Sequence, residues 1–284
     1  MIDSALVLNC PSTMGAYQHR HIENIECWLD FFVNEERIHV VATPSSERWQ
    51  DLVHLEYDKE LYALLPVLSF DTCSRWQAGL SEALTLYQPR SHVFLWAADF
   101  FYSDEAKRAA EKMLDYSGKE DLVVGTIEAG GKKEDIDRCA THPFIEIWFP
   151  EEFEIIQSKG FSKPRSELLR FSVPFLEYSL RKRWFPTEQT IHLIFQCLWN
   201  DGDFEVEPIL LPKIEDDGEA RNQPNVIQQV ERMEVWLKYM WRERQCELDC
   251  SWWEMDEYKN KCIQSFETAM RAYDILVEDC ATVA

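Results

Sequence analysis

An apolar run of strand length, His92-Val93-Phe94-Leu95-Trp96-Ala97-Ala98, carries the chain to a single carboxylate, Asp99, and a helix-like segment then opens with Ser103 as its N-cap. This order sets Asp99 at the carboxyl end of a strand. In open α/β sheets that edge is where loops and helix N-termini converge on ligands. An aspartate that merely turns the chain after a buried strand would give the same local pattern, so the flanking sequence has to decide.

Upstream, Ala5 to Asn9 reads as a short buried strand that stops at Cys10-Pro11-Ser12-Thr13, a turn with hydroxyls at its mouth. Ile22, Ile25, Leu29, Phe32 and Val33 recur at helical spacing from about Gln18 to Val33, and Ile38 to Thr43 is a second strand closed by Pro44-Ser45-Ser46. A helix-like segment from Glu47 to about His54, an ambiguous patch Leu61 to Leu65 and a third apolar stretch Pro66 to Phe70 follow. The pattern is β-α-β-α-β, which argues for parallel strands joined by helical crossovers. Next, Trp76, Leu80, Ala83, Leu84 and Tyr87 form one apolar helix face, with Ser74 as the expected N-cap. Arg75 falls in the first helical turn, where the macrodipole disfavours a cation; an anionic ligand there or a surface ion pair would each account for it.

Composition narrows the partners. The chain has 284 residues, enough for a sizeable core, and a formal net charge of −22. Such a balance offers no basic field to draw in nucleic acid or an anionic membrane. It leaves room for a nucleotide, since a few local cations, a metal ion or a helix N-terminus hold phosphates. Nine cysteines are scattered without a C-x-x-C pair, and Cys246 and Cys250 stand one helical turn apart with no histidine near them, so a zinc site is not expected. The cysteines are expected to be mostly small buried residues in a reducing compartment. Met1 to Leu6 lacks a basic stretch followed by an apolar core, and no run reaches the roughly 18 apolar residues of a membrane span. A cytoplasmic protein without a transmembrane segment is the expectation.

After Asp99, Ala106, Ala109, Ala110, Met113 and Leu114 give a tight-packing helix face, and Asp121 to Glu128 reads as a strand in which Gly125 allows close backbone approach. The loop Ala129 to Asp135 lacks the spacing of a Walker A phosphate loop and suits a mobile surface loop or a substrate lid. Alternation through Pro143 to Phe149 suits a strand, and Glu151 to Lys159 a short helix; the apolar stretch Ser166 to Tyr178 does not divide into elements. Beyond the basic cluster Arg181-Lys182-Arg183, Thr187 is a plausible N-cap, and Ile191, Ile194, Phe195 and Leu198 form a buried face. Glu188 stands in that helix's first turn, where the dipole stabilises a carboxylate; an ordinary helix-start Glu fits as well. Phe204 to Leu211 reads as a strand near the sheet edge, followed by the acids Glu215, Asp216, Asp217 and Glu219. From Pro224 two amphipathic helices are expected, one bearing Val226, Val230, Met233, Leu237 and Met240, the other running from about Trp252 to Cys280 with Cys262, Phe266, Ala269, Tyr273 and Leu276 on one side.

The order of strand, Arg-bearing helix, strand and carboxylate resembles the nucleotide-sugar-binding half of a GT-A glycosyltransferase, most of all the mannosylglycerate synthase-like group, from about Ala5 to about Asp217. The resemblance implies an α/β fold: a GT-A-like, mostly parallel sheet flanked by helices over residues 1–224, with a C-terminal helical extension over 225–284. It implies a metal-assisted transfer from a nucleotide-diphosphate sugar to an acceptor. Pro11, Ser12, Thr13 and Thr43 would hold the nucleoside, Arg75 the diphosphate, and Asp99 with Asp216 or Asp217 a divalent metal, Mg or Mn. Glu188 matches the acidic residue that faces the acceptor, as general base in an inverting transfer or as a positioning group in a retaining one. The family's Asp-x-Asp is here Ala97-Ala98-Asp99, and its basic Gly-rich turn is Ser74-Arg75-Trp76; no histidine follows His192 to serve as third ligand. A non-catalytic relative kept for binding or scaffolding is one alternative reading. A sugar-phosphate nucleotidyltransferase is another, although Cys10 to Gly15 carries one glycine where that class has several. The two terminal helices bring apolar surface that has to be buried against the sheet or against a second subunit, and a homodimer is one expected use of it.

Overall fold

A computed structural model describes residues 2–10, 18–43, 60–65, 72–98, 100–127, 136–182, 184, 189–200, 202–212, 214, 223–247 and 255–281. The chain forms two compact units, the first made of Met1–Glu128 and Arg165–Asp217, the second of Ala129–Pro164 and Gly218–Ala284.

The first unit is built on a mixed sheet of β1 (Ser4–Asn9), β2 (His39–Thr43), β3 (Tyr62–Leu64), β4 (His92–Ala97), β5 (Leu122–Ile127), β6 (Leu169–Ser172) and β7 (Val206–Leu211). Their spatial order is β3-β2-β1-β4-β6-β5-β7, with β6 antiparallel to both neighbours and every other pair parallel. β1 sits inside the sheet because all but its first residue are buried, and such strands read as continuous apolar runs. Helices α1 (Gln18–Leu29) and α3 (Asp104–Leu114) cover one face, and α2 (Thr72–Tyr87) crosses over the other. On the first face Trp28 packs against Trp96 at 4.9 Å and stacks on Phe32 at 5.4 Å between ring centroids. Ala106, Ala109, Ala110 and Met113 let α3 approach the same core closely. Ser103 caps α3 as expected, accepting from the Ala106 amide at 3.1 Å.

On the second face, a Cβ added to Gly79 would stand 2.5 Å from the Thr43 methyl and 2.7 Å from Val7, so α2 lies on β1 and β2 at a distance only glycine permits. Gly125 has the same role in β5, where a Cβ would meet Leu211 at 2.7 Å and Leu168 at 3.0 Å. The remaining helices of this unit are α6 (Val173–Leu180), capped by Ser172, and α7 (Gln189–Leu198), which packs on β5 and β7. The stretch Ser166 to Tyr178 thus divides into β6 and the start of α6. β7 lies at the edge of the sheet, as its pattern suggested. The expected helix Glu47 to His54 and strand Pro66 to Phe70 lie outside the described residues, whereas the ambiguous patch between them holds β3.

The second unit contains α4 (His142–Trp148), α5 (Pro150–Ser158), α8 (Gln223–Glu247) and α9 (Met255–Ala281). Here the sequence reading needs correction: Pro143 to Trp148 is helical and Phe149 is the residue that ends the helix. Pro143 stands in the first turn, directly after a π-helical turn over Asp137–Thr141, and Phe144, Ile145 and Trp148 are buried at i, i+1 and i+4 spacing. The fully buried Trp148 is central, touching the rings of Trp241 at 5.8 Å and Tyr258 at 6.0 Å and donating to the Ser265 hydroxyl at 3.3 Å. Lys261 closes the cluster by donating to the Ile147 carbonyl at 2.6 Å. A second correction concerns α9, whose buried face carries the small residues Ser265, Thr268, Ala269 and Ala272, while Phe266 is 62% exposed. Among the described residues no helix is long and apolar enough to cross a membrane. Cys10 and Cys197 are buried but Cys27 and Cys246 are exposed, so burial is not the general condition of the cysteines.

Burial in the first unit holds His39 and His92 below the ordinary histidine value of 6.5, helped at His92 by the nearby Arg170 charge. Below that value the unfolded chain binds protons that the folded chain resists, so stability falls as pH drops through 6.5. The urea midpoint is expected to decline across that range, and a His92→Phe variant is expected to show a shallower decline.

Candidate functional site at the carboxyl edge of the sheet

Register places the last residues of three parallel strands side by side: Asn9 pairs with Thr43 of β2 and with Ala97 of β4. The pairing runs one step further, with the Ala98 amide donating to the Asn9 carbonyl at 2.9 Å and the Cys10 amide to the Thr43 carbonyl at 3.3 Å. Pro11 and Asp99 are the next residues along the chain from Cys10 and Ala98.

Alternation along the strands turns Asn9 and Thr43 toward the α2 side, where their side-chain oxygens lie 3.5 Å apart. The Thr43 hydroxyl also donates to the Leu8 carbonyl at 3.4 Å. Arg75 is one helical turn before Gly79 on α2, so the close approach at Gly79 brings its guanidinium to the same edge. It is only 4% exposed, and its charge pulls on the neighbouring Cys10 thiol. Burial nonetheless dominates there and pushes the thiol up to about 12, so Cys10 is neutral at every physiological pH. Ser74 is the third residue of α2 rather than its cap, which begins the helix three residues earlier than the sequence suggested and leaves Arg75 in the opening turn.

The opposite side of the edge is fixed by α1. Asn24, 6% exposed, donates through Nδ2 to the carbonyls of Ala98 at 2.7 Å and Phe100 at 2.9 Å, and its Oδ1 accepts from the Tyr102 amide at 2.6 Å. Trp28 Nε1 donates to the same Phe100 carbonyl at 2.9 Å. One amide side chain therefore grips the backbone on both sides of position 99. The sequence carried a signal for it: an asparagine one residue before Ile25 and four before Trp28, on the helix face that has to be buried.

The far side of the sheet presents α7. The Thr190 hydroxyl bonds to the Ser166 carbonyl, and the Ser166 hydroxyl bonds to the Gly125 carbonyl. This chain of bonds anchors the first turn of α7 at the carboxyl end of β5. Position 188 immediately precedes that turn.

Of the residues singled out from the sequence, Thr43 and Arg75 are brought together at one edge. Pro11, Ser12, Thr13, Asp99, Glu188, Asp216 and Asp217 lie outside the described residues. Among the described residues no three metal-ligating side chains converge.

No family model and no curated protein matches the chain. Solved structures do. Glucosyl-3-phosphoglycerate synthase from Mycobacterium tuberculosis in complex with Mn2+ and uridine-diphosphate-glucose matches with a TM-score of 0.54 at 13% identity, over 82% of this chain and 76% of that one. The same enzyme in complex with phosphoglyceric acid gives 0.53 at 13% identity, over 83% and 80%. A structure described only as a mycobacterial protein gives 0.55 at 11% identity, over 79% and 70%. The fold is accordingly the GT-A fold, as the sequence resemblance implied.

Proposed function

We propose that the chain is a metal-assisted glycosyltransferase that moves a sugar from a nucleotide-diphosphate donor to an acceptor hydroxyl. The observation that carries this reading is the carboxyl edge itself. A buried cation on α2 and the ends of β1 and β2 stand on one side, and on the other an asparagine-clamped segment brackets Asp99. The solved structures of the same fold support it, since glucosyl-3-phosphoglycerate synthase is described with Mn2+, UDP-glucose and phosphoglyceric acid.

In this reading Thr43 with Pro11, Ser12 and Thr13 holds the nucleoside, and Arg75 pairs with the diphosphate. The two carboxylates Asp99 and Asp217 form a hard oxygen donor set of the kind Mg or Mn takes together with phosphate oxygens. A bound divalent ion supplies charge neutralisation of the leaving diphosphate. Reaction breaks the bond between the sugar's anomeric carbon and the diphosphate oxygen and forms one to the acceptor oxygen. The acceptor proton passes to Glu188 in an inverting transfer, whereas in a retaining transfer Glu188 orients the acceptor and the proton passes to the departing diphosphate oxygen. Arg75 is suited to the leaving group because its guanidinium keeps its charge when buried. Cys10, Cys27, Cys197 and Cys246, as free thiols, fit a reducing, cytoplasmic setting, and the terminal helices are read as the surface of a homodimer.

Thermal shift against UDP-, GDP- and ADP-sugars, with and without Mn2+, is the test. A rise in melting temperature that needs both metal and one nucleotide, and is lost in Asp99→Asn, is the expected result. No shift with any donor would remove the reading.

A further inference from the structure

We propose that the chain pairs with a second copy of itself through the outer face of the α8–α9 hairpin, as an antiparallel contact centred on Phe266. The inference deepens the homodimer reading above and does not depend on the transfer reaction. Ile263, Phe266 and Met270 are 56%, 62% and 44% exposed, and their i, i+3, i+7 spacing lines them along one stripe of α9. They stand away from the helix's small buried residues, Ser265, Ala269 and Ala272. Isolated exposed apolar residues are ordinary; a stripe of three on successive turns is not.

Helix α8 extends the patch. Lys238 interacts with Cys262 and Tyr258, and Glu231 and Glu234 lie near Tyr273, so the two helices run antiparallel with Val235 level with Phe266. Val235 is 59% exposed, on the side of α8 opposite its buried residue Leu237.

Charge selects both the occupant and its direction. A parallel copy would set Lys259 against Lys259 and Asp274 against Asp274. An antiparallel copy about an axis between Phe266 and Glu267 sets Ile263 against Met270 and brings Phe266 to the centre. It also places the exposed Lys259, which within one chain lies 3.7 Å from the exposed Asp256, opposite the exposed Asp274 at both ends, so that the ammonium is shared between two carboxylates. The stripe is therefore complementary to itself in one orientation. It is small, which implies a dissociation constant on the order of micromolar. With a net charge of −22 on each copy, screening strengthens the pairing as salt is raised.

Sedimentation velocity of the full chain over a concentration series tests this. The wild type is expected to dimerise, and Phe266→Glu, which acts twice per dimer, to weaken association roughly tenfold or more with an unchanged circular dichroism spectrum. Lys259→Asp and Asp274→Lys should each weaken it, and the double variant should restore it, an outcome that misfolding cannot produce. A wild type monomeric at every concentration would overturn both the homodimer and this face. A dimer indifferent to Phe266→Glu, or one not rescued by the charge swap, would overturn the face and register alone.

Discussion

Replacing Asn24 by alanine is expected to destabilise the first unit by about 2–4 kcal/mol and to abolish most of the proposed metal-dependent transfer in the molecules that remain folded. The energetic half follows from the geometry. Asn24 satisfies the Ala98 and Phe100 carbonyls and the Tyr102 amide, all partly or wholly withdrawn from water. Alanine leaves Phe100 with its second donor, Trp28, but strands Ala98 and Tyr102. The functional half follows from where the bonds fall, because Ala98 and Phe100 are the two neighbours of Asp99. Asn24→Asp sharpens the test. It keeps the acceptor for Tyr102 but points a carboxylate oxygen at two carbonyl oxygens, so it should cost at least as much stability as alanine despite being the same size. Urea unfolding measures the first effect, and Mn2+ titration of turnover in folded protein measures the second. A variant that is destabilised yet keeps wild-type turnover and metal dependence would show that the clamp serves stability alone.

The parts of the fold legible in the sequence were those in which one physical signal dominates. Continuous apolar runs marked β1, β2 and β4, since central parallel strands are buried on both faces. Ser103 marked the start of α3 because its hydroxyl has no better partner than a free amide in the first turn. Signals failed where two periods coincide. Phe144-Ile145-Glu146-Ile147-Trp148 alternates well enough for a strand, yet only the contacts of Trp148 with Trp241 and Tyr258, about a hundred residues away, decide for a helix. The same holds for α9, where apolar residues suggested one buried face and the close packing around Trp148 selected small residues instead. At the candidate site, Arg75 was legible because a cation in a helix's first turn runs against the dipole. Asn24 was not singled out, although a polar residue on a stripe bound for the core needs partners that only the folded backbone of β4 reveals.

Arg170→Met is expected to cost about 3–5 kcal/mol and to leave the proposed transfer per folded molecule unchanged, the reverse of the Asn24 pattern. Arg170 lies on β6 with its side chain 1% exposed, paired across the sheet with Phe94 and Val123. Its two terminal nitrogens donate to the carbonyls of Tyr116 at 2.6 Å, Gly118 at 2.8 Å and Glu120 at 3.3 Å, and the guanidinium lies 4.8 Å from the Tyr116 ring centroid. One planar fork thus organises the whole connection from α3 to β5, a stretch with no regular structure of its own. Arg170→Lys should recover only part of the loss, because a single ammonium cannot reach three carbonyls arranged for a fork. The Glu120 side chain is 21% exposed and its nearer oxygen, though buried, is 4.0 Å from the guanidinium and beyond hydrogen-bond reach, so Glu120→Gln should change stability by no more than about 1 kcal/mol. Turnover should survive because this connection enters β5 at its amino end, whereas Asn9, Thr43 and Arg75 gather at the carboxyl ends of β1 and β2. Hydrogen exchange of the amides between Asp115 and Asp121 would locate the loss. If protection there persists in Arg170→Met, the guanidinium is not what holds the connection, and the buried charge would have to be explained by the ion pair instead.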